Sequence, residues 1–203
     1  MSQPNQPVFL AREMTTEQWA DMDEDEPGEL VAGRLEEEEM PTALHEAVAL
    51  WLAAALRAWL SPLGGMAFGA ELKFVVRERC GRKADASGYL PGRPLPGRSQ
   101  AATRRPPSIV VEVLSPRPRD VRRDLVDKLS EYAAFGVASY WIVDPLARTF
   151  EVRELHRDRS PVVVLSAAEG AHAIPGCEGL VIDLDALWAE VERLPEDEPP
   201  TDD

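Results

Sequence analysis

The chain has 203 residues, of which 44% are hydrophobic and 29% are charged, and its formal net charge is −14. This length suits one domain with a sizeable core, and the composition is ordinary for a soluble globular protein. The negative charge argues against a general nucleic-acid coat protein, because affinity for phosphate needs clustered cations.

Targeting and redox signals are weak in this sequence. It shows no charged-then-apolar leader and no apolar run long enough to span a bilayer, so we expect a cytoplasmic protein without a membrane partner. Its two cysteines, Cys80 and Cys177, lie far apart without metal-ligand spacing. They suit a reducing compartment better than a disulfide framework, although a single disulfide between them stays possible.

The first half of the chain predicts two helices and several strands. Thr15, followed by Gln18 three positions later, forms a capping-box pattern at the start of a short helix. GELVAGRL predicts a hairpin, and AELKFVVRE and GRKADASGYL predict one strand each. A long helix is predicted after Pro41 from apolar side chains at helical spacing. These are Leu44, Val48, Trp51, Leu52, Ala55, Leu56 and Trp59.

The second half alternates loops, strands and helices. A long loop, PGRPLPGRSQAATRRPP, precedes the strand PPSIVVEVLSP. A stripe of Val121, Leu125, Leu129 and Tyr132 then predicts a helix that ends at Gly136. ASYWIVDP predicts a buried strand, RTFEVREL and SPVVVLS a hairpin, and IDLDALWAEVERL a last helix. We assign 1–194 to one α/β domain with one mixed sheet and 195–203 to an acidic disordered tail.

Arginines concentrate in one part of this acidic chain. The window 91–123 contains eight arginines and two acidic residues. The arginines are Arg93, Arg98, Arg104, Arg105, Arg117, Arg119, Arg122 and Arg123. A solvated Pro-rich loop accounts for this charge as well as a phosphate-binding surface does.

Glu112 lies in the middle of a strand whose two faces are otherwise apolar. Alternation puts Val110, Glu112 and Leu114 on one face of this strand. An ionised carboxylate in such a place is costly unless something positive meets it. Either a nearby arginine or a metal ion could play that part.

Two further residues suggest a chemical site. Asp85 lies in a strand-like segment between two alanines, where it is either an inward carboxylate or a turn or edge residue. Lys128 falls within the inward stripe of its helix, although it could extend into solvent or pair with Asp124. Two carboxylates bind a cation such as Mg²⁺, and a lysine can orient the nucleophile. This set suits phosphodiester hydrolysis. If Lys128 has that role, Lys128→Met is expected to lower the rate on the order of 10²–10³-fold, with stability little changed or slightly raised.

Three segments resemble a known family. KADASGYLPGRP, PPSIVVEVLSPRPRDVRRDLVDKLSEYAAFGVASYWIVDP and PGCEGLVIDLDALW are similar to the Uma family of bacterial restriction-endonuclease-like proteins. That family belongs to the PD-(D/E)XK nuclease superfamily. The resemblance extends from Glu29 to about Trp188. It implies a restriction-endonuclease-like α/β fold, with a central mixed sheet flanked by helices, and a divalent metal site.

The resemblance implies that Asp85 and Glu112 are the metal ligands. Two positions depart from the family pattern, since Ala84 replaces a proline and Ser108 replaces a frequent aspartate. At strand rise Ser108 lies roughly 13 Å from Glu112, too far to share one ion directly. We therefore prefer Asp85 as the partner of Glu112.

The same resemblance assigns three more residues. The superfamily lysine normally stands two residues after the glutamate, but Leu114 occupies that position here. Its role therefore passes to Lys128 on the following helix. Glu29 matches an accessory acid, and His45 matches a histidine at the start of the first long helix.

Together these observations predict a DNA endonuclease that depends on Mg²⁺ or Mn²⁺. Cutting both strands needs two sites, so a homodimer is expected. The arginines expected to contact DNA are Arg104, Arg105, Arg122 and Arg123. Two alternatives stay open. One is a non-catalytic interaction module that keeps the fold, as the net charge allows, and the other is a hydrolase of a smaller phosphodiester or nucleotide.

Overall fold

The computed structural model describes residues 13–22, 28–36, 40–114, 123–156 and 159–195. Side chains are not described for 123–125 and 159. The predicted acidic tail therefore lies outside the described residues, apart from its first position. Within the described chain, helices and strands alternate in a mixed order, which confirms the expected α/β class.

The helices in the described chain are α1 Thr16–Ala20, α2 Ala43–Leu63, a π-helical segment Arg123–Lys128, α3 Leu129–Phe135 and α4 Leu184–Val191. The strands are β1 Glu29–Val31, β2 Arg34–Glu36, β3 Met66–Phe68, β4 Lys73–Arg77, β5 Cys80–Lys83, β6 Ala86–Tyr89, β7 Ala102–Thr103, β8 Ile109–Val113, β9 Ser139–Asp144, β10 Thr149–His156, β11 Arg159–Ala167, β12 Ala171–Ala173 and β13 Val181–Asp183. The capping box that begins α1 at Thr15 is present as predicted.

The described strands form three sheets, so the prediction of one mixed sheet is wrong. One sheet has the order β2-β1-β5-β4-β7, a second has the order β11-β10-β9-β8-β6-β3, and β12 and β13 form a small third sheet. The predicted strand GRKADASGYL is two strands, β5 and β6, in different sheets. The chain leaves one sheet and enters the next at Ala84 and Asp85.

The six-stranded sheet is central, and β8 lies inside it. β8 is antiparallel to β6 and parallel to β9. Ile109, Val111 and Val113 pack in a core together with side chains of α2 and α4. Val110 and Leu114 pack in a second core, with side chains of β4, β5 and α3. The alternation predicted for this strand is confirmed, and it directs Glu112 toward the second core.

Helix α2 begins after Thr42, whose hydroxyl accepts from the His45 backbone N–H at 3.2 Å. Its buried side chains pack on the central sheet. By length and composition alone α2 could cross a membrane, so the expectation of no such apolar run is wrong. Four of its apolar residues have no solvent exposure, namely Val48, Leu52, Leu56 and Leu60.

The helix predicted to end at Gly136 does so, with Gly136 in the left-handed region at φ 109°. Within the described residues it begins as a π-helix and becomes α-helical at Leu129. A π-helical turn changes the direction in which successive side chains point. Leu129 and Tyr132 are buried as predicted, while Val121 lies outside the described residues.

Candidate active site

Asp85 lies where the chain passes between the two large sheets, and the strand register places its backbone next to that of Glu112. The β6–β8 register pairs Ala86 with Val111, so the next step along the ladder places Asp85 opposite Glu112. The Asp85 carboxylate also accepts a hydrogen bond from the Val113 backbone N–H at 2.6 Å. The two predicted metal ligands are therefore neighbours at the C-terminal end of β8.

The cation that Glu112 meets is Lys128. The Lys128 Nζ donates to Glu112 Oε2 at 2.8 Å, and it lies 3.3 Å from Glu29 Oε1. Only 4% of the Lys128 side chain is exposed, so it does not extend into solvent. The sequence left open an arginine or a metal ion as the positive partner of Glu112, and the structure places the Lys128 ammonium group there.

Glu29 is fully buried and connects Lys128 to a residue that the sequence analysis missed. One oxygen of Glu29 accepts from the Lys83 backbone N–H at 2.9 Å. The other accepts from Arg82 Nη1 at 2.8 Å. Arg82 is 1% exposed, and its pKa lies above the usual value, because the nearby carboxylates outweigh the effect of burial.

Glu131 continues this chain of charges toward the surface. Arg82 Nε donates to it at 2.6 Å, and Arg77 donates to it at 2.9 Å. Burial raises the pKa of Glu131, but the charge and hydrogen bond of Arg82 outweigh burial and hold the pKa below its usual value. Acids and bases thus alternate from Glu112 to Arg77, and each buried charge has an opposite neighbour.

His45 lies on the other side of Asp85. Its Nε2 is 3.4 Å from Asp85 Oδ2, and about a fifth of each side chain is exposed. Burial lowers the pKa of His45, but the hydrogen bond and charge of Asp85 outweigh burial, so the pKa lies above its usual value. The structure therefore brings His45 to the site, as the resemblance implied.

A cleft of about 530 Å³ opens at the outer end of this charge chain. Its lining includes Arg82 and Glu131 but neither Asp85 nor Glu112. The lining residues are Val31, Glu36, Arg77, Arg82, Asp127, Ser130, Glu131 and Ala134. The cleft thus gives solvent access to the Arg82–Glu131 end of this charge chain and not to Asp85 or Glu112.

The cysteines take no part in this chemistry as nucleophiles. Cys80 and Cys177 are both free and buried. Burial, together with the Glu131 carboxylate, raises the pKa of Cys80 to about 12, so its thiol is neutral at ordinary pH. Its Sγ lies 3.3 Å from Glu131 Oε1 and donates to it.

The metal site predicted at Asp85 and Glu112 would have two carboxylate ligands. In the part of the chain that the structure describes, no group of three or more His, Cys, Asp or Glu could hold a metal. Mg²⁺ commonly binds through one or two carboxylates and keeps several waters. Asp85 and Glu112 match that smaller set, although one oxygen of each already accepts a hydrogen bond.

Two of the predicted DNA-binding arginines, Arg104 and Arg105, lie away from this site. Arg104 and Arg105 precede the N-terminal end of β8, whereas Glu112 lies near its C-terminal end. Arg104 pairs with Glu17 at 3.3 Å, and Arg105 donates to the Leu95 carbonyl. Arg122 lies outside the described residues. Arg123 begins the π-helical segment, and its side chain is not described.

Ser108 lies far from the site, as its position in the strand predicted. It is buried at the N-terminal side of β8, where its hydroxyl accepts from the Leu90 N–H at 3.1 Å and from Arg93 at 3.3 Å. An aspartate at this position would not share a site with Glu112. The departure from the family pattern therefore leaves the Asp85–Glu112 pair intact.

A compositional signal could have drawn attention to Lys128. The chain contains nineteen arginines but three lysines, Lys73, Lys83 and Lys128. In a chain that otherwise uses arginine, a buried lysine indicates a place that needs a compact ammonium group. For Arg82 the signal in the sequence was weaker. Alternation along β5 gives the face on which Arg82 lies, but only the assembled sheets bring that face to the other neighbours of Lys128.

Comparisons with known proteins agree with this fold. The chain matches the family Uma2, described as "Putative restriction endonuclease", over residues 14–197. A crystal structure of a "putative nuclease belonging to DUF820" from Anabaena variabilis ATCC 29413 matches with a TM-score of 0.69 and 17% identity. The match covers 88% of this chain and 99% of that chain, so the two share the restriction-endonuclease-like fold. Curated proteins gave no match. The chain belongs to the Uma2 family.

Proposed function

We propose that this protein is a metal-dependent DNA endonuclease whose site contains Asp85, Glu112 and Lys128. The observation that carries the proposal is the 2.8 Å contact between Lys128 and Glu112, with Asp85 directly before the neighbouring strand β6. Burying such a set costs free energy, and well-packed apolar residues would often be no less stable. Membership of the Uma2 family supports a catalytic role for these buried charged residues.

Asp85 and Glu112 are the residues that would hold Mg²⁺ or Mn²⁺. When bound, the ion would polarise a phosphoryl oxygen and lower the pKa of a coordinated water. Asp85 is kept in place by the Val113 N–H and by His45. Glu112 is kept in place by Lys128. Both carboxylates are therefore oriented by this chain's own groups before substrate arrives.

Lys128 and Glu29 supply the remaining functions in this proposal. The Lys128 ammonium group stabilises negative charge that develops on the phosphate during attack by water. Glu29 holds that ammonium group at 3.3 Å and acts as an accessory acid. His45 orients Asp85. Cleavage of both DNA strands would further require a second site, which a cytoplasmic homodimer would supply.

A second function is favoured by a different observation. The net charge is −14, and Glu112 is almost fully buried with its charge already balanced by Lys128. Both features suit a non-catalytic interaction module that keeps the nuclease fold. The two proposals differ in whether the protein binds a divalent ion at Asp85 and Glu112.

Titration calorimetry with Mn²⁺ and with Mg²⁺ tests the proposal. We expect one or two weak sites in the wild type and none in the double variant Asp85→Asn, Glu112→Gln, because two like charges favour a cation between them. Asp21→Asn, an exposed position at the end of α1, is the matched control and should bind as wild type does. Unchanged binding in the double variant would reject the metal site.

Cleavage of supercoiled and linear DNA in the presence of each ion completes the test. Wild type and Asp21→Asn should cleave, and Asp85→Asn should not. If the wild type neither binds the ions nor cleaves DNA, and has no affinity for DNA at low salt, the interaction module becomes the better description.

A further inference from the structure

We infer that Arg82 is a positioning residue that sets where Lys128 places its ammonium group. Nothing in the family description assigns a role to this arginine. The consequence for cleavage rests on the proposed function, but the consequence for Lys128 itself does not.

Arg82 connects β1, whose Glu29 contacts Lys128, to α3, which directly follows Lys128 in the chain. On one side its Nη1 donates to Glu29 in β1 at 2.8 Å. On the other side its Nε donates to Glu131 in α3 at 2.6 Å. Arg82 itself lies on β5 and is 1% exposed, and its contact with the fully buried Glu29 is shielded from water, whereas Glu131 is 11% exposed.

Both of these carboxylates are linked to Lys128. Glu29 Oε1 lies 3.3 Å from the Lys128 Nζ. Glu131 lies three residues after Lys128, at the start of the helix that follows the π-helical segment. Arg82 therefore constrains the ammonium end of Lys128 through Glu29 and its backbone end through Glu131.

The charge of Arg82 also decides between the two carboxylates that compete for Lys128. Glu112 is at 2.8 Å and Glu29 at 3.3 Å from the ammonium group. With Arg82 present, the negative charge of Glu29 is shared between two cations, which leaves Lys128 closer to Glu112. Without Arg82, Glu29 would attract the ammonium group away from Glu112, because interactions between buried charges are strong.

A guanidinium group suits this task better than an ammonium group. Its planar fork presents donors in fixed directions, so one side chain can hold carboxylates on two different elements. The Nε and Nη1 atoms of Arg82 do so here. A neutral amide at this position would lose both the charge and one of the two connections.

Arg77 provides a matched control. It also donates to Glu131, at 2.9 Å, but from the surface side on β4, with 55% of its side chain exposed. If any loss of an arginine at Glu131 loosens Lys128, Arg77→Gln should act as Arg82→Gln does. If the connection through Glu29 matters, Arg77→Gln should leave Lys128 as it is.

Chemical labelling of lysines with acetic anhydride, read by mass spectrometry, measures the exposure of Lys128 directly. The chain has only two other lysines, Lys73 and Lys83, which serve as internal references. In wild type we expect Lys128 to react most slowly, since its side chain is 4% exposed. In Arg82→Gln its labelling rate relative to Lys73 should rise about tenfold, as local opening becomes easier.

Arg82→Gln leaves two buried carboxylates without the arginine that balances their charge, so this variant could unfold. Glu131→Gln is therefore the second variant. Glu131 is 11% exposed, and glutamine keeps its size. We expect a smaller rise in the Lys128 to Lys73 ratio, and none in Arg77→Gln. Global unfolding would also raise this ratio, because Lys128 is the most buried of the three lysines, so labelling is compared only under conditions in which urea denaturation shows each variant to be folded.

DNA cleavage gives the second readout. Arg82→Gln and Glu131→Gln should lower kcat by about 10- to 100-fold with KM nearly unchanged, as for residues that orient catalytic groups. An unchanged Lys128 to Lys73 ratio in both variants, or an equal rise in Arg77→Gln, would overturn the inference. A raised ratio in a protein whose wild type does not cleave DNA would support the inference and reject the proposed nuclease.

Discussion

Lys128 lies between two buried carboxylates, and this changes what its removal should do. Glu112 is 2.8 Å and Glu29 3.3 Å from its ammonium group. From the sequence, loss of this lysine was expected to leave stability almost unchanged. That expectation considered the cost of one buried charge and not the two carboxylates that the lysine balances.

Lys128→Met should therefore reduce both activity and stability. We expect cleavage to fall on the order of 10²–10³-fold, as for loss of one preorganised charged group. The free energy of unfolding should fall by about 3 kcal/mol or more, because a buried pair loses one partner. Urea denaturation and a cleavage assay measure the two effects, with Lys83→Met as control. A variant as stable as wild type would mean that Glu112 and Glu29 are protonated or hydrated once the lysine is gone.

The lowered pKa of Glu131 predicts a loss of stability in acid. Burial alone would raise this pKa, but Arg82 outweighs it, so the folded protein holds a proton on Glu131 less readily than the unfolded chain does. The stabilisation is thus present above the usual value of 4.5 and is lost as the pH falls through the folded pKa. Urea unfolding measured across this acidic range should show a shallower pH dependence in Glu131→Gln than in wild type. Identical profiles would contradict the role of the Arg82–Glu131 pair.

At the scale of elements, the site depends on how α2 begins. Thr42 accepts from the backbone N–H of His45, so the helix cap and the histidine beside Asp85 are joined. The strand pair β6–β8 brings Asp85 beside Glu112. The start of one helix and the ends of two strands thus determine the geometry around Asp85.

Removal of the cap at Thr42 should weaken the protein by a small amount. Thr42→Ala leaves the His45 N–H without its side-chain acceptor, so the free energy of unfolding should fall by about 1 kcal/mol. Thr42→Ser keeps the hydroxyl and is the control. Thermal denaturation measures both variants. If alanine and serine behave alike, the hydroxyl contributes nothing to the helix.

At the scale of the whole molecule, charge is distributed unevenly. The net charge is −14, yet 91–123 is rich in arginine. Within the described residues, Arg104 and Arg105 lie toward the N-terminal side of β8, away from Glu112. DNA that contacted both the Arg104–Arg105 region and the region of Glu112 would have to extend along the molecule rather than contact a single point.

Arg104→Ala combined with Arg105→Ala tests whether this region contacts DNA. If it does, affinity should fall uniformly across DNA sequences, and the dependence of affinity on salt should become less steep, because fewer counterions are released. Fluorescence anisotropy at several salt concentrations measures both. Arg148→Ala, at an arginine paired with Glu192, is the control. Equal affinities for all three proteins would remove this region from the proposed interface.

Local patterns in the sequence determined the elements and the direction of their side chains. Alternation in β8 was enough to direct Glu112 to one face. Helical spacing placed Lys128 in the inward stripe but left an outward direction open, and its burial in the fold decided between them. The family resemblance added Glu29, which the structure places beside Lys128, and His45, which it places beside Asp85. These inferences succeed because the periods of strands and helices depend on neighbouring residues alone.

The tertiary structure decided how distant parts of the chain meet. The split of GRKADASGYL between two sheets, and the meeting of Glu29, Arg82 and Glu131, depend on contacts between residues far apart in sequence. Such contacts cannot be deduced from spacing along one strand or helix, because many pairings of the same strands satisfy the same local patterns. For that reason the sequence by itself indicated that Glu112 needs a positive partner, and only the fold determined that Lys128 is that partner, with Arg82 behind it.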